Sequence, residues 1–411
     1  MVKGLAWKTL IAALAAYLLL VAAYLGLIPF LRDFITGLDL LSQPAKFEFR
    51  GPRQPAAELK VIGITENTIA AFANRPGGAV YYPFPRNWHA AAVTRLADAG
   101  ARVVVLDILF SEADSWDEAE DAALRDAVEY ARAAGCEVVL AASIEDIDYA
   151  PGVASESLVT PAPLIMEARP HLGISNTFEK LSYKPVELIS RRMSLPGAPE
   201  QEFYTQAVEA FRLIRGGAEG DFDEVLDAAT AARMTSRSGE LAFFRINYCG
   251  KLAQFPGTLY HYESLFREEL DGTDLGAPGL EQAQRLRDIF SGTVAFIGSR
   301  NQADNDYFNT PYGTMFGVDT NAQAFDTLYS GQLLRGLPPV TTVLVAFVLG
   351  LLAWLVSQLR PIFKSVVVGL LLFVGVFIGV LLLFSLQGVE LSLSMATSGF
   401  LLPYACLLYT S

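Results

Sequence analysis

Four side chains stand where a binding site would need them, at strand ends or in the polar loops nearby. Asp107 follows the apolar run Val103–Leu106, so its carboxylate lies at the carboxyl end of a buried strand. In open α/β sheets, that end of the strands lines the ligand crevice. Arg86 follows a proline-rich loop, Asn176 ends a later apolar stretch, and Asp306 lies in a polar loop after another strand. The sequence therefore predicts a ligand-binding site with candidates Arg86, Asp107, Asn176 and Asp306.

Two of these groups have a second interpretation. The carboxylate of Asp107 can instead accept hydrogen bonds from backbone amides of the following turn. Arg86 can bind an anionic ligand or form an ion pair with Asp107. Of these two roles for Arg86, we favour the ion pair.

Catalytic and metal chemistry is less well supported. His89, Asp107 and Ser111 are the residue types of a hydrolytic triad. However, the turn is not a G-x-S-x-G elbow, and His89 begins an alanine-rich helix. The polar loop 301–306 carries oxygen ligands but lacks the glycine and the distal glutamate of a calcium loop. We therefore expect no catalytic residue, no metal and no cofactor, and a hydrogen-bonded turn in this loop.

The elements that must position these groups alternate between strand and helix. Leu59–Thr65, Val103–Leu106 and Glu137–Ala142 read as buried strands separated by helical segments. This alternation predicts right-handed crossovers and a parallel sheet. The other expected elements are helices at about Glu200–Arg215 and Phe222–Arg233, strands at Leu241–Asn247 and Thr293–Gly298, and a closing helix at about Gly317–Ser330. The predicted fold class is an α/β domain with a mostly parallel central sheet.

Four long uncharged runs predict four transmembrane α-helices, one before this domain and three after it. Each has about 20–25 residues, enough to cross a bilayer. The predicted segments are a cytoplasmic N-terminus 1–8, a first span 9–31, an extracytoplasmic domain 32–337, and three further spans at 338–359, 365–386 and 391–410. A cleaved signal peptide is the alternative for the first run, but we favour an uncleaved signal anchor, because this apolar stretch exceeds the usual length of about 7–15 residues. Lys3 and Lys8 before it, and Arg360 and Lys364 after the second span, place both termini in the cytoplasm.

Composition excludes some functions. The chain has 44 acidic against 31 basic residues, so we expect no nucleic-acid partner. The predicted spans contain no ionisable side chain, which argues against a conduction path. Cys136 and Cys249 fall in the predicted external domain, where they form either a disulfide or two buried free thiols.

The candidate region resembles a known family. P-F-P-R-N-W-H-A from Pro83 and A-G-A-R-V-V-V-L-D-I-L-F-S-E-A-D from Ala99 look like the signature of the type-two CHASE domain. This is the cyclase- and histidine-kinase-associated sensory extracellular domain of bacterial receptors. Further matches, spread over about residues 40–335, are I-N-Y-C-G from Ile246, V-A-F-I-G-S from Val294, D-N-D-Y-F-N-T-P from Asp304 and G-V-D-T-N-A from Gly317. Thr65 and Thr320 depart from the family pattern, which usually has aspartate and often histidine there.

The resemblance implies one N-terminal span, an external sensor, three further spans and a cytoplasmic output domain. That output is commonly an adenylate cyclase or a histidine kinase, and we expect it to be absent from this chain. The last residues, 406–411, read like a sequencing adapter, so we expect the natural sequence to diverge near Ala405. The chain is then a non-enzymatic receptor portion in a bacterial inner membrane. Its expected partners are an unknown small-molecule or envelope ligand and a second copy of the chain. The alternatives are a standalone envelope binding or scaffold protein and an envelope hydrolase.

Overall fold

The computed structural model has two units. It describes residues 11, 14–15, 17–113, 118–150, 153–175, 184, 186–188, 190–194, 200–216, 235–237 and 241–409. The α/β unit is Arg53–Leu333, and the helical unit combines Met1–Pro52 with Leu334–Ser411.

The elements are numbered in chain order. The helices are α1 (Pro29–Arg50), α2 (Glu66–Ala73), α3 (Arg86–Asp98), α4 (Glu118–Ala133), α5 (Pro163–Met166), α6 (Gln206–Gly216), α7 (Arg267–Leu270), α8 (Leu280–Phe290), α9 (Gly317–Tyr329), α10 (Pro339–Ser357), α11 (Ile362–Gln387) and α12 (Leu393–Tyr409). The strands are β1 (Leu59–Ile64), β2 (Val103–Asp107), β3 (Glu137–Ala150), β4 (Val153–Val159), β5 (His171–Ile174), β6 (Val186–Leu188), β7 (Ser190–Ser194), β8 (Glu200–Tyr204), β9 (Thr235–Arg237), β10 (Leu241–Arg245), β11 (Leu259–His261), β12 (Val294–Ser299), β13 (Tyr307–Thr310), β14 (Gly313–Phe316), β15 (Arg335–Gly336) and β16 (Val389–Glu390).

A seven-stranded sheet forms the centre of the α/β unit. Its order is β11-β1-β12-β2-β3-β4, and β5 also pairs with β3. Every pairing is parallel except that of β3 with β4. The mostly parallel α/β sheet predicted from the sequence is therefore confirmed. The late strand β12 lies between β1 and β2, so the carboxyl ends of these three strands are adjacent.

Helices cover both faces of this sheet. Val104 and Leu106 of β2 belong to a buried cluster with Trp88 and Leu96 of α3. On the other face, α6 and α9 pack against the sheet, as in the ring contact between Phe296 of β12 and Phe325 of α9, with centroids 5.7 Å apart. Two-sided burial explains why these strands are continuous apolar runs rather than alternating ones.

One predicted helix is wrong at its start. Glu200–Arg215 was expected to be helical throughout, but Glu200–Tyr204 is strand β8 and the helix begins at Gln206. Strand β8 pairs antiparallel with β7, and this partner segment supplies the backbone hydrogen bonds. The helix predicted at Phe222–Arg233 lies outside the described residues.

The helical unit contains two helices, α10 and α11, that are long and apolar enough to cross a membrane within the described residues. The helical segments Tyr17–Tyr24 and α1 meet that criterion only together, and they are bent by 83° relative to each other. Gly26 lies in this break with φ 83°, and Pro29 begins α1. The shorter α12 has 17 residues. The predicted count of four spans is thus not confirmed.

A polar face of α1 contacts the connection 388–394, which runs from the end of α11 into the first turn of α12. Asp39 Oδ1 accepts from the backbone N of Ser394 at 2.9 Å. Gln43 donates to Glu390, and the ammonium of the buried Lys46 lies 3.9 Å from the same carboxylate. Strand β15 pairs in parallel with β16 in this connection. Because buried charges are stable only when paired, the contacts of Lys46 and Gln43 hold α1 to the connection 388–394. The strand pairing holds β15 to the same segment.

Candidate functional site

The candidate site lies where the carboxyl edge of the sheet meets the first turn of α9. Gly298 on β12 pairs with Asp107 at the end of β2. A Cβ atom on Gly298 would lie 2.8 Å from Cβ of Val318 and 3.1 Å from Cβ of Asp107. Only glycine therefore leaves room for α9 to approach this edge so closely.

One asparagine on α9 links three elements at this edge. The Nδ2 of Asn321 donates to Oδ2 of Asp107 on β2 and to Oε1 of Gln206 on α6, both at 3.1 Å. Gln206 is 1% exposed, and its Nε2 has no hydrogen-bond partner among the described residues. This leaves a buried donor beside the carboxylate network, which is costly unless a partner satisfies it.

A buried lysine completes the network. The Nζ of Lys184 donates to Oδ1 of Asn321 at 2.8 Å and to Oγ1 of Thr320 at 3.2 Å. It also lies 5.4 Å from the ring centroid of Phe308. The Tyr248 hydroxyl donates to the backbone oxygen of Lys184 at 2.6 Å. The ammonium is thus separated from the Asp107 carboxylate by a single amide side chain.

A second ion pair borders the same turn of α9. Arg300 lies 3.1 Å from the carboxylate of Asp319. Burial raises the pKa of Asp319 to about 6, although Arg300 opposes the shift and Asp306 adds to it. The side chain of Arg300 lies against Gly63 of β1, where a Cβ atom would lie 2.5 Å from Cδ of Arg300. The first turn of α9 therefore carries an acid that titrates closer to neutrality than an ordinary aspartate.

The predicted site residues fall into three groups. Asp107 contacts Asn321, and the backbone oxygen of Asp306 accepts from the N of Gly317 at 3.0 Å, so both adjoin the first turn of α9. Arg86 contacts Asp121 and the backbone oxygen of Glu112 instead of the first turn of α9. Asn176 lies outside the described residues.

The ion pair predicted between Arg86 and Asp107 is wrong. Arg86 pairs with Asp121 of α4 and donates to the backbone oxygen of Glu112. Asp121 is buried where α4 packs on α3, which presents its carboxylate to the start of α3. This contact depends on helix packing and has no local signal in the sequence.

The triad residues do not form a hydrolytic site. His89 is buried, and its Nδ1 lies 3.2 Å from the Tyr262 hydroxyl. Burial, assisted by the charge of Arg86, lowers the pKa of His89 to about 4. Ser111 lines an open cleft of about 730 Å³ whose lining includes neither His89 nor Asp107.

The polar loop is the hydrogen-bonded turn expected from the sequence. Asn301 Oδ1 accepts from the N of Ala303 at 3.2 Å, and Asp304 accepts from the Tyr82 hydroxyl at 2.6 Å. Within the described residues, no group of three or more histidine, cysteine or acidic side chains could hold a metal ion. Cys136 and Cys249 are both buried and are not bonded to each other, so the disulfide alternative is wrong.

Sequence reasoning missed Lys184, Gln206 and Asn321 as site residues. Asn321 had a signal, because an amide inside a mostly apolar closing helix needs a buried partner. Gln206 falls within the predicted helix Glu200–Arg215, where nothing in the sequence distinguishes it from its neighbours. Lys184 lies in the irregular middle of the chain, where no periodicity indicates burial.

Comparison with known proteins gave one match. A model of the CHASE2 domain family matches residues 14–358. No curated protein and no solved structure matches the chain.

Proposed function

Because this chain belongs to the CHASE2 domain family, an extracellular sensory domain of signalling receptors, we propose that it is the sensory and membrane-spanning portion of a bacterial receptor. In this proposal, the domain 32–337 lies outside the cytoplasm and both termini lie inside. The receptor acts as a homodimer in the inner membrane. A cytoplasmic adenylate cyclase or histidine kinase domain, carried elsewhere in the intact protein, receives the signal.

The observation that supports a binding role is the network around Asn321. It joins β2, α6 and α9 through one side chain at the edge of the sheet where α/β folds bind ligands. The buried Nε2 of Gln206 and the carboxylate of Asp107 offer a donor and an acceptor to a polar small molecule. A ligand bound here signals only if it binds one arrangement of α9 more tightly than another.

Chain continuity gives the route to the membrane. Helix α9 ends at Tyr329, and the helical unit begins at Leu334. On the other side, Arg53 follows directly after α1 and Gly51–Pro52. In this proposal, the signal passes along these two connections to α1 and β15, the two segments that contact the connection 388–394.

Asn321→Ala is expected to change the output of the intact receptor about fivefold or more, the range of ordinary coupling energies. The substitution removes the hydrogen bonds that tie α9 to β2 and α6. The test has two steps: reading the coding sequence beyond Ser411, then assaying the encoded cyclase or kinase in membranes. The control is Asn74→Ala, an exposed amide that directly follows α2 and donates to the backbone oxygen of Ala70.

Two results would count against this proposal. A stop codon directly after Ser411 in independent isolates would favour the binding or scaffold alternative. Unchanged output in Asn321→Ala would remove the candidate site while leaving the family assignment standing.

The topology has its own test in reporter fusions. Alkaline phosphatase fused after Gly331 should be active, because its disulfides form only outside the cytoplasm. The same enzyme fused after Arg360 should be inactive, because Arg360 and Lys364 hold that loop inside. Fluorescent-protein fusions at both positions should show the reverse pattern. Activity at both fusion points would contradict the proposed crossings.

A further inference from the structure

His171 at the start of β5 lies between two carboxylates from different elements. Its Nε2 is 3.0 Å from Oε2 of Glu137 on β3, and its Nδ1 is 3.2 Å from Oε1 of Glu209 on α6. The histidine side chain is 18% exposed and that of Glu209 is 6% exposed. Arg212 donates two hydrogen bonds to Glu209, at 2.9 and 2.6 Å. The ring thus bridges the sheet and α6 in a largely dry environment.

This bridge requires two protons on the imidazole. A carboxylate only accepts hydrogen bonds, and a neutral imidazole has a single N–H donor. Burial acts to raise the pKa of Glu209, but hydrogen bonds from Arg212 and His171 outweigh it and hold that pKa below its ordinary value. Both partners therefore act as acceptors, and the doubly protonated ring satisfies both contacts.

We infer that His171 is a proton-binding switch: its protonated ring clamps α6 to the sheet, and its neutral ring releases one of the two carboxylates. Histidine is the side chain that proteins commonly use as a proton-sensitive switch. The inference rests on the proposed sensory function and names external pH as a stimulus or modulator.

Among the described contacts, Glu137 and Glu209 are the direct charged partners of the His171 ring. The charged residues on the elements packed against β5 are Glu137, Glu145, Asp146 and Asp148 on β3, Glu209, Arg212 and Arg215 on α6, and Glu200 and Glu202 on β8. Among the described contacts, only Glu137 and Glu209 reach the ring. Arg212 is held against Glu209, and Glu202 is exposed.

Helix α6 carries the state of the clamp to α9. At the start of α6, Gln206 accepts from Asn321 at 3.1 Å. At its other end, Arg215 donates to the backbone oxygen of Tyr329 at 3.0 Å and lies 4.7 Å from that residue's ring centroid. A shift of α6 therefore acts on both ends of the helix that precedes the helical unit.

Hydrogen exchange of the full chain in lipid nanodiscs tests the switch at pH 5.5 and 8.5, with rates corrected for the intrinsic effect of pH. The doubly protonated ring makes both carboxylate contacts, so the clamp should be formed at the lower pH and weakened at the higher pH. Amides of α6 should exchange about tenfold more slowly at pH 5.5, the effect of one charge-assisted hydrogen bond. In His171→Gln the two pH values should give equal protection.

Two further variants keep the test decisive. Glu137→Gln removes the negative charge of one carboxylate at a partly exposed position and should reduce the pH effect without requiring His171 to be replaced. His261→Gln, at an exposed histidine, should leave the effect unchanged. Equal protection of α6 in the wild-type chain at both pH values, or a pH effect that persists in His171→Gln, would overturn the inference. The readout does not use the output domain, so this outcome is separable from failure of the sensory function.

Discussion

Replacing Arg95 with methionine is expected to lower the thermal midpoint of the α/β unit by roughly 10 °C. Arg95 on α3 pairs with Glu269 on α7, and both side chains are only 2% exposed. Arg95 also donates to the backbone oxygen of Gly276 at 2.7 Å. Removing the guanidinium leaves a buried carboxylate without its counter-charge, which costs about 3–5 kcal/mol. The measurement is thermal unfolding of the full chain in detergent.

The matched control is Arg125→Met, the same change at an exposed ion pair with Asp126 and Glu167. Water screens exposed ion pairs so that they contribute little to stability, and this variant should therefore unfold within about 2 °C of wild type. The double variant Arg95→Met with Glu269→Met should recover part of the loss, because no charge then remains buried. Equal shifts in the two single variants would contradict a special cost of burial.

Gly173→Ala is expected to destabilise the α/β unit by about 1–3 kcal/mol and to abolish the pH effect on α6. A Cβ atom on Gly173 would lie 2.7 Å from Cα of Gln206 and 2.9 Å from Cγ1 of Val139. A backbone atom of α6 cannot yield without moving the helix. Residues two apart in a strand share a face, so the new methyl group lifts α6 away from His171 as well.

Thermal unfolding and the exchange measurement at pH 5.5 and 8.5 both apply to this variant. Gly276→Ala is the control, because the nearest atom to its Cβ position is 3.8 Å away and it should therefore unfold like wild type. Retained pH dependence in Gly173→Ala would show that the clamp tolerates displacement of α6. That result would contradict the geometric argument.

Four strands of the central sheet, β1, β2, β3 and β12, were predictable from the sequence, but their order was not. Val103–Leu106 and Thr293–Gly298 are short apolar runs, and two-sided burial requires such runs. The insertion of β12 between β1 and β2 joins segments about 190 residues apart, as in the pairing of Val104 with Ala295. Local periodicity carries no information about such a partner. For the same reason, the local pattern at Glu200–Tyr204 predicts a helix where the structure has strand β8.

The candidate site was predictable only in part. Asp107 follows from its place at a strand end, and its role as a ligand contact stays a prediction. The predicted partner of Arg86, Asp107, was wrong, because the packing of α4 on α3 brings Asp121 to Arg86 instead. Lys184 could not be found, because a lone lysine in an irregular segment normally indicates solvent exposure. Burial of a charge is decided by the whole fold and not by its neighbours in sequence.

Both chain connections of the α/β unit end on one short segment of the helical unit. The polar face of α1 and the strand β15 each contact the connection 388–394. Within the helical unit, the two chain ends that lead into the α/β unit are therefore tied to each other through one shared segment rather than anchored separately.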